Sequence, residues 1–234
     1  MIAVFKRDLR AYFSSPLGYV FLMAFLLVMN IYFFVTCIYS GNNAIEGVFN
    51  FFIYMLIFMI PILTMRTFSE EYKQKTDQLL LTAPVKPSGI VLGKFLSSMA
   101  VFTIGIIFTL LYGIIIAAVG VLNVGTTIGN YIALYAVAAT YIAIGLFISS
   151  LTENQLVSCI ATLGAFLALY LIDYTYSILN VTWLKNIIYW VSIFRRYNSF
   201  YSGVFSIADF FYYVSIAATF LFLTVRVLEK KRWS

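Results

Sequence analysis

The sequence predicts an all-α polytopic membrane protein. It has six transmembrane helices with both termini cytoplasmic, an N-terminal amphipathic interfacial helix, short helices in the loop between the second and third spans, and outer re-entrant helices between the fifth and sixth. Three observations predict this. Of 234 residues, 63% are apolar and 10% charged, with mean hydropathy +0.97, where soluble domains run roughly 45–50% apolar and about 25% charged. The apolar residues gather into six runs at 17–39, 48–65, 96–122, 131–151, 156–179 and 209–228, each near the ~20 residues that cross a hydrocarbon core. The bases are also unevenly placed. Lys6, Arg7, Arg10, Arg66, Lys73, Lys75, Lys86, Lys94, Arg226, Lys230, Lys231 and Arg232 fall on one side of the membrane, and Lys185, Arg195 and Arg196 on the other. That asymmetry puts the N-terminus inside, and an even number of spans returns the C-terminus there.

Residues 1–16 come first. Ile2, Phe5, Leu9, Tyr12 and Phe13 share one side of a helical wheel, while Lys6, Arg7, Arg10 and Ser14 share another. This is the pattern of a helix lying in the inner headgroup plane, with Phe5, Arg7, Leu9 and Arg10 as its marker residues. The apolar run after it has no small-residue cleavage pattern, so it reads as an uncleaved anchor. Ser15 is placed to cap the first span, with Pro16 at its first helical position. Spans are helical because an isolated segment in lipid must satisfy its own backbone hydrogen bonds.

The longest inner loop, 66–95, holds the densest charge. Glu71 and Lys75 stand i,i+4 in the favourable order for a helix. Thr76 can cap a second short helix, Asp77 suits its positive end, and Pro84 ends it. Leu79, Leu80 and Leu81 form an apolar knob among charges, which either docks a cytoplasmic protein or folds back onto the bilayer. Ser88 can cap the third span. On the outer side, 180–208 carries Trp183 and Trp190 at helical spacing, but Lys185 and the Arg195-Arg196 pair break it too often to span. Within the spans, Asn30 reads as an interhelical hydrogen-bonding residue and Asp173 as a solvated acid near the outer headgroups. Ala139/Ala143 and Ala161/Ala165 read as packing seams.

Whole classes of function fall away. Histidine is absent and there are two cysteines, so no metal site is expected. No phosphate-binding GxxxxGK[ST] loop occurs, and neither paired intramembrane acids nor HExxH supports an embedded enzyme or a proton-coupled carrier. The net charge of +6 needs no nucleic acid, since topology and anionic lipid account for it.

Arg66-Thr67-Phe68-Ser69-Glu70-Glu71, then Lys75 to Pro84, then Leu92-Gly93-Lys94 resemble the pattern of the ABC-2-type transporter permeases, most closely the gliding-motility-type (GldF-like) ones. The resemblance continues through Gly203-Val204, Asp209 to Tyr213 and the basic end at Leu221 to Trp233. It implies a non-catalytic permease subunit of an ABC exporter in a bacterial inner membrane. A dimeric ABC ATPase subunit would bind ATP and Mg and dock on 66–87, with Glu70, Glu71, Lys75, Thr76, Asp77, Leu79, Leu80, Leu81 and Pro84 as coupling residues. It also implies a second permease half, from a homodimer or a related chain. The alternative is ATP-driven mechanical transmission to an envelope partner without export. Replacing Leu80 with Asp or Glu71 with Arg is expected to uncouple the ATPase without unfolding the helices. Two departures stand out. Lys75 occupies a position where the family usually has Gly, which implies a more continuous helix. Arg195-Arg196 stands where relatives often carry an aromatic or His followed by Phe.

Overall fold

The structure is a computed structural model that describes residues 1–41, 45–76, 85–120, 123–178, 183, 185, 188–189, 192–203 and 206–233. Asp77, Leu79, Leu80, Leu81, Pro84 and Trp190 lie outside the described residues. All regular structure within them is helical. In chain order it comprises α1 (Ile2–Ser14), α2 (Pro16–Phe33), α3 (Glu46–Thr64), α4 (Ser69–Lys73), α5 (Pro87–Val119), α6 (Val124–Leu151), α7 (Gln155–Ile178), α8 (Ile193–Tyr201) and α9 (Ile207–Trp233). Helix α2 ends in a π-helical stretch, Phe34–Tyr39. There the Thr36 and Ser40 hydroxyls donate to the carbonyls of Tyr32 and Val35. Among the described residues, six helices are long and apolar enough to cross a membrane.

Local sequence explains most boundaries. Ser15 is extended between α1 and α2 and Pro16 opens α2, as its fixed φ allows. The Ser15 hydroxyl does not cap, however. It turns back to the Tyr12 carbonyl. Helix α5 begins at Pro87, inside the stretch read as loop, with Lys86 at the N-cap. Ser88 therefore sits within the helix. Two facts let the helix start so early: Pro87 is preorganised for a first turn, and the charge of Lys94 is neutralised by acids from other elements. Asn123 caps α6 by accepting from the Thr126 N–H, which brings the start of that helix forward as well.

Helices α3 and α6 are the most buried of the spans, while α2, α7 and α9 keep broad outward faces. Close approach at the centre depends on Gly145, where an added Cβ would lie 2.3 Å from Thr64 Oγ1. Aromatic rings fill the spaces between α2, α3 and α5. Phe25 packs against Phe52 and Phe102, and Phe33 stacks on Tyr112 at 4.3 Å. Tyr112 also donates to Asn30 Oδ1 at 3.0 Å, so Asn30 makes the interhelical bond expected of it. Ala143 is buried in α6, whereas Ala161 of α7 is exposed. The bundle has two distinct ends. One gathers α1, α4, the start of α5 and the C-terminal ends of α6 and α9, and the other carries α8.

Candidate functional site

Helix α4 is five residues long, too short to be stable alone, and three neighbours hold it. Its first backbone donors, the N–H groups of Phe68 and Ser69, go to Ser149 Oγ of α6 at 3.1 and 3.3 Å. The Ser69 hydroxyl donates to the Ser149 carbonyl. A serine from another helix thus does the work of a cap. Glu70 and Glu71 lie in the first turn and Lys73 in the last, the order that the helix dipole favours. Glu70 forms a two-point pair with Arg66.

Glu71 carries the main contact. Its carboxylate meets Arg7 of α1 and Lys94 of α5, at 2.9 Å. Lys94 is 2% exposed. Its ammonium also reaches Asp8 Oδ2 of α1 at 3.2 Å and donates to the Thr67 carbonyl at 2.6 Å. The Thr67 carbonyl accepts the hydrogen bond of this ammonium, and the two carboxylates neutralise its charge as ion pairs. The ring of Phe68 sits 4.9 Å from the same nitrogen. Arg7 closes the network by donating to Asp8 at 2.7 Å.

The Gly93-Lys94 pair explains how α1 comes so near. A Cβ at Gly93 would meet Val4 at 3.0 Å and the Met1 carbonyl at 3.1 Å. Without a side chain there, α1 lies against α5 and Asp8 comes within reach of Lys94. Tyr12, one turn further along, donates to the Leu63 carbonyl at 2.9 Å and lies 3.1 Å from Ser98 Oγ. Burial pushes the Tyr12 phenol above its ordinary pKa, with hydrogen bonds to Ser98 and Thr67 offsetting part of the rise. For Arg7, burial acts to lower the pKa, but the carboxylates of Asp8 and Glu71 outweigh it and leave the value raised. Beside the network lies a cleft of about 610 Å³ walled by α1, α5 and residues 66–76.

Several expectations change here. Glu71 does not pair with Lys75. It turns to Lys94 and Arg7, because the buried ammonium of Lys94 needs a counter-charge that the exposed Lys75 does not. Nor does Lys75 extend the helix. It takes φ +56°, the left-handed region that glycine enters easily. The Thr76 N–H reaches the Glu71 carbonyl and the Lys75 N–H the Tyr72 carbonyl, which is a Schellman ending. The turn is kept although the glycine is not. Helix α1 also buries a different stripe from the one expected. Val4, Asp8 and Tyr12 face inward, Phe5 and Leu9 are half-buried, and Ile2 and Arg10 are exposed. The wheel separated apolar from basic residues and passed over Asp8, which belongs to neither set.

At the other end, α8 is tied as firmly. Asp173 is not a solvated acid. It pairs with Arg195 at 3.1 Å and accepts from Ser192 at 2.6 Å. Ser192 in turn caps α8 through the Arg195 N–H. Arg196 and Asp209 form a pair at 2.9 Å with each side chain 7% exposed. Ser199 donates to the second oxygen of Asp209, and Tyr197 donates to Asn130 at 2.9 Å. Burial raises the Tyr197 phenol as well. The two arginines without a family counterpart are thus the anchors of α8. Trp183 is exposed.

Residues 35–228 match the model of the ABC-2 family transporter protein family. The chain belongs to that family. No curated protein matches it significantly. The six apolar helices and this membership make it a multi-pass membrane protein, the permease component of an ABC transporter, in a family that is generally non-catalytic and works with an ATPase. The apolar faces of α2, α7 and α9 are accordingly its lipid- or partner-facing surfaces. Sequence reasoning missed Asp8, Lys94, Ser149, Asn130 and Asp209 as site residues. The one available signal was the Leu-Gly-Lys pattern, which marked Lys94 without indicating its partners.

Proposed function

We propose that this permease is driven by a separate ABC ATPase that docks on 66–87, and that it exports its substrate across a bacterial inner membrane. Both termini lie in the cytoplasm, as the placement of the bases requires. ATP and Mg are bound by the ATPase dimer, and a second permease half, identical or related, completes the complex. The observation that carries this reading is the buried contact of Lys94 with Glu71 and Asp8. It fastens the loop helix to two other elements of the bundle, so a push on α4 moves α1 and α5 with it. Glu71 belongs to this linkage and not to the docking surface. Docking falls to the exposed side of the loop, where Lys73 and Gln74 are accessible, and to the leucines 79–81.

The experiment separates docking from transmission. Leu80→Asp should abolish co-purification of the ATPase, because it places a charge in an apolar contact. Lys94→Met should leave co-purification intact but remove the effect of the permease on ATP hydrolysis. Co-purification unchanged by Leu80→Asp would refute docking at 66–87. An empty interface between permease halves, with ATP hydrolysis insensitive to every compound class, would favour mechanical transmission over export.

A further inference from the structure

The two ends of the bundle are joined by a pair of helices that is pinned at both. At the α4 end, Ser149 of α6 accepts the N–H groups of Phe68 and Ser69, and Lys231 of α9 sits 3.4 Å from the centre of the Tyr72 ring. At the α8 end, Asn130 of α6 accepts from Tyr197. Asp209 of α9 holds Arg196 and Ser199, and the Tyr213 hydroxyl donates to the Ile193 carbonyl at 2.6 Å. Between these points α6 and α9 make the most extensive helix contact in the bundle. Within it, Thr140 Oγ1 donates to the Tyr213 carbonyl at 3.0 Å.

We propose that α6 and α9 act as one strut that sets the position of α8 from that of α4. At 1.5 Å per residue a helix the length of α9 spans about 40 Å, and a hydrogen-bonded helix barely shortens under load. Two such helices, locked together along their length and fixed to the same short helix at each end, pass displacement on instead of absorbing it. Helices α3 and α7 touch α8 too, through Tyr54 packing on Phe194 and through Asp173. Helix α7 also packs on α4, but the described hydrogen bonds from such helices to α4 come from α6 and the cation–π contact from α9. This inference rests on the fold and stands whether or not an ATPase docks on the loop.

The test is hydrogen exchange on the full chain in lipid nanodiscs. Ser149→Ala and Lys231→Met each remove one pin at α4. Each should raise exchange of the α8 amides, residues 193–201, by about 3-fold or more. Coupling is reciprocal, so Asp209→Asn should raise exchange in α4, residues 69–73, by a similar factor. Arg7→Ala removes the direct pair between α1 and α4 without touching the strut and should leave α8 unchanged. Lys231 is at the end of its helix, so its replacement keeps the test available should a buried variant fold poorly. Unchanged α8 exchange in both Ser149→Ala and Lys231→Met would overturn the proposal. So would an Arg7→Ala effect on α8 as large as theirs.

Discussion

Lys94→Met tests the central linkage most directly. Methionine keeps the length and apolar stem of the side chain, so packing changes little, and what disappears is the charge with its two ion pairs and one hydrogen bond. Removing one partner of a buried ion pair costs about 3–5 kcal/mol, because the other is left uncompensated. Two acids are left here, but Arg7 still contacts both, and their side chains keep 11% and 15% exposure. The expected loss is therefore at the low end, about 3 kcal/mol. For a chain of this size that lowers Tm by roughly 6–12 °C. The assay is thermal unfolding in nanodiscs followed by tryptophan fluorescence. A second variant decides the cause. Lys94→Met combined with Asp8→Asn and Glu71→Gln removes the stranded charges, and it should melt higher than Lys94→Met alone, since neutralising a whole buried network is often harmless. The reasoning fails if Lys94→Met melts within about 1 °C of the unaltered protein, or if the neutralised variant recovers nothing.

Three further outcomes follow from particular contacts. Lys75→Gly should stabilise the end of α4 by about 1 kcal/mol, because it relieves the left-handed backbone at φ +56°. Slower proteolysis at 69–76 would show this, and faster cleavage would contradict it. Gly145→Ala should lower stability by roughly 1–3 kcal/mol by forcing α6 off Thr64, and adding Thr64→Ala should restore part of the loss. A melt unaffected by Gly145→Ala would mean that the helices separate freely there. Arg196→Met should cost about 3 kcal/mol by stranding Asp209 at 7% exposure. It should also open α8 to cysteine labelling at Ile193→Cys, a position buried in the intact bundle, and unchanged labelling would argue that the pair is not what holds α8.

The spans could be read from the sequence because in lipid an apolar run of the right length has only one economical structure. The corners were legible for a similar reason, since Pro16 fixes its own dihedral wherever it stands. Charge partners were not legible. The sequence places Asp8, Glu71 and Lys94 far apart, and each has a nearer opposite charge that a one-dimensional reading prefers, as Lys75 was preferred for Glu71. What decides the pairing is burial. An exposed i,i+4 pair contributes a few tenths of a kcal/mol, whereas an unpaired buried lysine costs several, so the buried ammonium of Lys94 claims both acids and the local pair never forms. The same logic operates at the other end, where Asp173, read as a solvated acid, and Asp209 each meet an arginine of α8. Lys75 shows the reverse case. Residue type alone argued against a turn, yet the tertiary pins on α4 outweigh the roughly 1 kcal/mol preference against φ above zero. In a chain with so few charges, the buried ones are set by partners distant in sequence. The scarcity that first marked the chain as a membrane protein therefore also makes its remaining charges the joints of the bundle.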